Sequence, residues 1–523
     1  MTHSEATDWA QSWLACGLYN KPYSGERVMD RALYDGLAQE QIFQQIEKVF
    51  SSYVRGGALN PDKAMQLLTV RETEEARALL LEQYQRATGQ VKRDIWARLS
   101  APAYANRIGR LQALRDSLYT QARMVGLDEV SYVRDRLSDT LEQSYYRTTF
   151  DIQQYTGEGY DFSLLNDNQI TAALAADWSG KNWSERLWDN NQRFADAVED
   201  TVTVGIMAGL RYDEMRDNLL HVIGMDETEG AKYRAARLVK TECAYIANQG
   251  HLLGYQAAEI ERYIFLATLD LRTSEVCRSL DMKRFSVAEA QAGENLPPMH
   301  PHCRSTTMPD MTDEQLRKVS RAARDPATGK GITVPGDMKY PEWYEKYVKG
   351  RPEAEAKEQA YRNKAADREQ FRRYRAVLGE NVPKTLDDFQ KLKYTDDGRW
   401  KELKLAKQDA EILSDIRARR HYLNIRAGKL QQQHLIGSRW YDPTRSHFTE
   451  GTTDEDLLAM LELCAGTGEI QHGRNYPTQI QEIVDVGMVI GETVNAEGIM
   501  EPTTKVKIHY SKKGVHLVPY SGK

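Results

Sequence analysis

The 523-residue sequence contains no uninterrupted apolar run near the roughly 18 residues that a membrane-spanning helix needs, so no transmembrane helix is expected. Its first residues, MTHSEATDWAQSW, lack a basic stretch followed by an apolar one, and no signal peptide is expected. Cysteine is scarce. There are five: Cys16, Cys243, Cys277, Cys303 and Cys464. An odd, sparse count in a long chain reads as reduced, intracellular chemistry and not as a disulfide scaffold. Positive charge is not in excess either. Seventy Lys and Arg stand against 76 Asp and Glu, a net charge of −6. That excludes a protein that coats nucleic acid by general basicity and leaves room only for local basic patches. No fixed-period repeat and no low-complexity tract is visible. With 41 % hydrophobic and 28 % charged residues the chain can build real cores, so global disorder is excluded. At about 150 residues per domain the length suggests about three domains.

What is present is first of all helical. Over residues 1–265 apolar residues recur three and four apart, as in QIFQQIEKVFSSYV (41–54) and ETEEARALLLEQYQRA (72–87). Pro22, Pro61 and Pro102 fall at plausible helix boundaries, and Asn60-Pro61-Asp62 reads as a helix start. Long helices with polar outer faces suit an elongated bundle that packs against a partner. RYIFLATLD (262–270) reads as a buried strand running into a turn, and Pro297, Pro298 and Pro301 exclude regular helix beyond it, which makes 262–308 a compact knob. Residues 345–425 are dense in charges of both signs. They predict solvated linking helices, interrupted near Gly379 and Pro383; a basic face for nucleic acid is the sharper alternative. Beyond 425 the chain reads as a small α+β module with a turn-rich segment HLIGSRWYDPTRSHF, a short helix closed by Gly466, and several strands. The fold class expected is therefore α+β multidomain. It has a helical region at 1–120, a helical domain with its knob at 121–310, a charged helical linker at 311–424, and the module at 425–523. The first 120 residues offer no chemical motif.

The knob holds the first cluster: Asp270, Arg272, Thr273 and Cys277, then Pro297-Pro298-Met299-His300-Pro301-His302-Cys303-Arg304. Thiolate and imidazole are ordinary zinc ligands. Only one cysteine, and not a C-x-x-C pair, comes from the first half. Three readings stand: a metal site of Cys277, His300 and Cys303; two thiols and a histidine holding a proline-rich loop against a strand; or a Cys277–Cys303 disulfide. His300 and His302 are expected to point apart. This cluster resembles the phage head morphogenesis (minor head protein) family. Thr241-Glu242 match its helix motif, Asp270, Arg272-Thr273 and Cys277 its D-x-R-T-x-x-x-C element, and residues 297–304 its P-P-x-H-P-x-C-R element. Where the family carries Asn this chain has His302. The resemblance covers roughly 120–310. It implies a minor capsid component near the portal vertex, active in head assembly and DNA delivery, with no settled enzymatic role. The partners it implies are the portal protein, the major capsid protein and phage DNA, in the virion and, during assembly, in the host cytoplasm.

Five of the eleven histidines (His434, His447, His472, His509, His516) lie in the last 90 residues. Imidazole titrates near neutrality, so such a cluster suits proton transfer. In KVKIHYS, Val506, Ile508 and Tyr510 alternate with Lys505, Lys507, His509 and Ser511; in VHLVPY, Val515 and Leu517 flank His516. A hairpin loop at 511–514, with Gly514 free to take a positive φ, sets His509 opposite His516 on the polar face. A one-residue slip would mix the two faces. Two imidazoles beside Lys505, Lys507 and Lys512 suit metal-independent RNA cleavage, with no cofactor: one as base toward the ribose 2′-OH, one as acid toward the leaving oxygen. The alternatives are an exposed histidine-rich strand with solubilising lysines, or a divalent-metal site of His509, His516 and His434.

Residues 434–520 resemble the polymorphic toxin type 50 family, assigned to the barnase-EndoU-colicin-RelE group of ribonuclease folds. His434, Ser446, Val484-Asp485-Val486-Gly487 and the run from Ile508 to Pro519 carry the likeness. It implies His509, Ser511, Lys512 and His516 as active-site residues, with His434 and Ser446 in support, and a cognate immunity protein as a partner. RNA contacts are expected from Lys505, Lys507 and Lys513. Ten Lys and Arg against twelve Asp and Glu over 425–523 make the module not globally basic, so binding needs a local strip. The competing functional class is a structural capsid or portal adaptor with an inactive module.

Overall fold

A computed structural model describes residues 65–102, 109–208, 210, 212–223, 230–426, 428–494 and 498–521. The helix expected over 41–54, the Asn60-Pro61-Asp62 start and Cys16 lie outside the described residues. The chain divides into two compact units, residues 1–349 and 350–523. Among the described residues no helix is long and apolar enough to cross a membrane.

The first unit is built on one 47-residue helix, Arg110–Thr156, about 70 Å long at 1.5 Å per residue. Helices Trp183–Met207 and Ala231–Ala257 pack along it. Leu114, Leu118, Phe194, Val198 and Val202 fill one layer of the core, and Val133, Leu137, Leu141, Leu187 and Ile246 another. Glycines set the closest approach. A Cβ on Gly254 would lie 2.4 Å from the Thr148 Cγ2, and one on Gly250 2.6 Å from the Ser144 Cβ. Helices Val70–Arg86 and Gly89–Leu99 add a smaller core through Leu80, Val91 and Ile95.

The knob follows. Strand β1 (Arg262–Leu266) lies between β2 (Arg284–Ser286) and β3 (Thr306–Pro309), all antiparallel. Tyr263, Ile264, Phe265 and Leu266 are all buried, as the apolar run predicts. The strand stops at Leu266 because Thr268 and Asp270 turn to side-chain bonding: the Thr268 hydroxyl donates to the Arg304 carbonyl at 3.0 Å. Residues 311–349 are not helical linker throughout. Strands β4 (Ser320–Arg324) and β5 (Gly331–Pro335) form a hairpin in the first unit. Its Arg321 is buried against Asp281, with N–O distances of 2.5 and 3.1 Å. Asp281 also accepts from the Ala267 and Tyr340 backbone amides at 2.9 and 2.8 Å. The charge pair is thus fully hydrogen-bonded, the condition under which a buried pair is tolerated.

The second unit opens with four helices, Pro352–Arg362, Lys364–Leu378, Leu386–Thr395 and Asp397–Arg419. The chain breaks near Gly379 and Pro383, as expected. These helices are more than a solvated spacer. Tyr374, Val382 and Phe389 form a core with Trp400 against it. The fully buried Asp367 carboxylate takes bonds from Lys393 at 2.6 Å, Gln390 at 2.8 Å and the Tyr394 hydroxyl at 2.9 Å.

The carboxy-terminal module has two antiparallel sheets. One has the order β12 (Gly514–Tyr520), β11 (Lys505–Ser511), β8 (Gln481–Asp485), β7 (Glu469–Ile470); the other has β10 (Met500–Thr503), β9 (Gly491–Val494), β6 (His447–Phe448). Helix Asp454–Cys464 is capped by Thr453 and stops before Gly466, at φ 80°. Leu457, Leu461, Val484, Val506, Ile508, Val515 and Leu517 close the core. The buried Glu482 carboxylate gathers the Gly466 and Gly468 amides (2.9 and 2.6 Å) and the Tyr510 hydroxyl (2.5 Å).

Candidate functional site

The β11–β12 ladder pairs Ile508 with Leu517, His509 with His516, Tyr510 with Val515 and Ser511 with Gly514. Val506, Ile508, Val515 and Leu517 fill the core, which leaves Lys507, His509 and His516 on the other face, each half-buried. Gly514, at φ 120°, closes the turn where a Cβ would lie 2.8 Å from the Asn424 carbonyl. The outer edge of β12 is covered. Val515 exchanges backbone bonds with Asn424 and Arg426, both at 2.8 Å, and the buried Gln431 amide donates to and accepts from the Leu517 backbone at 3.1 and 2.9 Å.

Three imidazoles meet on this face. The His509 and His516 ring centroids are 5.4 Å apart, and the His434 ring lies 5.3 Å from that of His516. His434 comes from the turn-rich segment. Its Nδ1–H donates to the Ser446 carbonyl at 2.5 Å, which leaves Nε2 as the lone-pair nitrogen of the neutral ring. What Ser446 brings to the site is thus its carbonyl. Burial lowers the pKa of all three rings. For His516 burial acts with the neighbouring His434 and His509 and takes it to about 4. Lys507 adds to the lowering at His509.

The other expected residues are more scattered. Lys507 sits 3.6 Å over the Tyr520 ring, and partial burial lowers its pKa. Lys505, Lys512 and Lys513 are exposed. The Ser511 hydroxyl donates to the Gly514 carbonyl at 2.7 Å, a turn contact. His472 and Tyr476 bind Asp409 of helix Asp397–Arg419, each at 2.7 Å, away from the row. His447 approaches Glu492 at 3.8 Å. Arg426, whose charge bears on His516, and Gln431 also belong to the site, and nothing in their spacing marks them in the sequence. The three imidazoles do not form a ligand-spaced metal group: among the described residues such a group is found at Cys277, His300 and Cys303.

In the knob the motif residues hold the loops. The Asp270 carboxylate accepts from both Arg304 nitrogens, the Thr273 hydroxyl (3.0 Å) and the Arg272 amide (2.9 Å). Thr241 accepts the His302 amide at 3.1 Å, and buried Glu242 takes the Trp178 indole at 3.0 Å and Arg186 at 3.3 Å. His302 has φ 60°, where Asn is favoured among non-glycine residues, and its ring packs 5.7 Å from Tyr233. Its ring is not part of the cysteine cluster. Cys277 and Cys303 are free thiols with sulfurs 3.7 Å apart, so the disulfide reading is corrected.

Residues 196–308 match the family Phage Mu protein F like protein, and residues 426–519 match Bacterial toxin 50. A curated relative, NAD(+)--arginine ADP-ribosyltransferase EFV of Enterococcus faecalis (strain ATCC 700802 / V583), is 27 % identical over 153 residues. The match spans 28 % of this chain and 30 % of that protein's length. No solved structure matches. The chain thus joins a segment similar to the Phage Mu protein F like family to a carboxy-terminal segment similar to Bacterial toxin 50.

Proposed function

We propose that this phage head protein carries, in its toxin module, a metal-independent endoribonuclease of barnase-EndoU-colicin-RelE type. The observation that carries the reading is the imidazole row His434–His516–His509, set beside Lys507 on one face of the β11–β12 hairpin.

The two paired rings divide the work by pKa. His516, the ring taken down to about 4, is neutral across the working range and serves as general base. Its Nε2, closed to solvent and without a hydrogen-bond partner in the free protein, must be uncovered as RNA binds; it then accepts the proton of a ribose 2′-OH as the 2′-oxygen bonds to phosphorus. The bond from phosphorus to the 5′-oxygen breaks, and protonated His509 delivers its proton to that oxygen. The products are a 2′,3′-cyclic phosphate and a 5′-hydroxyl. Lys507 offsets the negative charge of the phosphorane. The bound phosphodiester, being anionic, favours the protonated form of His509. His434, anchored through Ser446, is a positioning residue for His516. Lys505, Lys512 and Lys513 form the cationic strip that draws RNA in.

The head-protein segment directs the chain to capsid assembly. The partners in this reading are the portal protein and the major capsid protein, the module travels with the genome in the virion, and an immunity protein guards the producing cell. The test is incubation of the full chain with RNA in EDTA. Cleavage supports the proposal; intact RNA with folded protein leaves a structural adaptor with an inactive module.

A further inference from the structure

The cysteine–histidine cluster of the knob owes nothing to RNA chemistry. Cys277 sits in the short helix Glu275–Leu280; His300 and Cys303 sit in the proline-rich loop before β3. The Cys277 and Cys303 sulfurs are 3.7 Å apart, and the Cys277 sulfur is 3.5 Å from His300 Nε2. All three ligand atoms lie within 4.8 Å of one another. A tetrahedral zinc ion with Zn–S of about 2.3 Å and Zn–N of about 2.0–2.1 Å has a sulfur–sulfur edge of about 3.8 Å and a sulfur–nitrogen edge of about 3.6 Å. The Cys277–Cys303 and Cys277–His300 separations therefore fit that tetrahedron to about 0.1 Å.

The surroundings agree with the edges. His300 Nδ1 donates to the Pro301 carbonyl at 2.9 Å. That bond fixes the tautomer so that Nε2 turns its lone pair to the sulfurs, the usual outer-shell device of a metal-binding histidine. Both cysteines are buried, whereas His300 is partly open. Solvent therefore reaches the cluster from the histidine side. The Ser274 hydroxyl also stands there, 2.8 Å from His300 Nε2. At that distance it is a hydrogen-bond partner of the ring and must rotate away when an ion takes the lone pair.

We propose that Cys277 Sγ, Cys303 Sγ and His300 Nε2 bind one zinc ion, with a water at the fourth corner. The ion would staple the Glu275–Leu280 helix to the loop that carries Arg304, whose ion pair with Asp270 closes the same knob. Binding releases the two thiol protons, so affinity falls with acid. Cys243 and Cys464, buried elsewhere, take no part.

The test uses the full chain, purified reduced from zinc-supplemented cells. Elemental analysis should find about one zinc per chain. Exchange with Co²⁺ should give the thiolate-to-cobalt charge-transfer band and the visible bands of a tetrahedral ion. Cys277→Ser and Cys303→Ser should each lose both, and Cys464→Ser should keep both. Alkylation of the wild-type chain covers the case in which the serine variants do not fold: zinc should protect Cys277 and Cys303, and a chelator should expose them. Zinc far below one per chain with intact thiols, equal alkylation with and without zinc, or metal retained by folded serine variants would overturn the proposal.

Discussion

His509 and His516 face each other across the β11–β12 ladder, with ring centroids 5.4 Å apart, and His434 extends the pair to a row. In a sheet, residues directly opposite share a face, so this relationship follows from register alone. It sets the two imidazoles on one face of the hairpin.

Replacing either paired ring should therefore disable the module. His509→Ala and His516→Ala should each lower RNA cleavage by about 10²–10⁴-fold, the usual weight of a general acid or base. His434→Ala should lower it less and move the acid limb of the pH profile upward, because one contributor to the low His516 pKa is then gone. Initial rates in EDTA read all three. Wild-type rates in both alanine variants would remove these rings from the chemistry.

The pH profile has a fixed direction. In the proposed mechanism the productive form has His516 neutral and His509 protonated. His516 titrates at about 4, and His509 lies below its ordinary value near 6.5. As pH rises through about 4 the base is freed, and as it rises past the His509 value the acid is lost. Hence kcat/KM should peak on the acid side of 6.5 and decline toward neutrality. A peak at alkaline pH would contradict the assignment of roles.

The buried Glu482 supports the strand that carries His509. Its carboxylate relies on the Tyr510 hydroxyl at 2.5 Å and on two backbone amides. Tyr510→Phe should cost about 1.5–3 kcal/mol, the range for a hydrogen bond to a charged group. Urea unfolding at neutral pH measures this. A change within the scatter of exposed substitutions would show that Glu482 does not depend on Tyr510.

The register of the last hairpin was legible because period-two alternation and a glycine-bearing turn leave one arrangement with a clean apolar face. The strand at Tyr263–Leu266 was legible for a similar reason, being apolar on both faces. The joining of His434 to the row was not, because 75 residues separate it from His509 and no local period links them. Nor was the closure of the β12 edge by Gln431, since a lone glutamine carries no pattern. The charged stretch 345–425 gave its helices but hid a core. Asp367 and Lys393 read as surface charges until folding brings them to 2.6 Å. The hairpin at 320–335 was missed for the same cause: Arg321 looks like a solvated residue until Asp281 is placed against it.

That pair makes its own prediction. Arg321→Met leaves the Asp281 carboxylate buried without its charge partner, and breaking such a pair costs about 3–5 kcal/mol. The double variant Arg321→Met with Asp281→Asn, which removes the buried charge and keeps an oxygen for the Ala267 and Tyr340 amides, should recover part of that loss. Thermal unfolding of the full chain separates the cases. Equal instability of single and double variants would show that shape, and not the unpaired charge, governs the site.

The most direct measurement is the chemical identity of the cut ends. RNA treated with the full chain in EDTA should carry 2′,3′-cyclic phosphate on one fragment and 5′-hydroxyl on the other, and the all-deoxy strand of the same sequence should stay whole. Cleavage of the deoxy strand, or fragments with a 3′-hydroxyl and a 5′-phosphate, would contradict attack by the ribose 2′-oxygen between these two imidazoles.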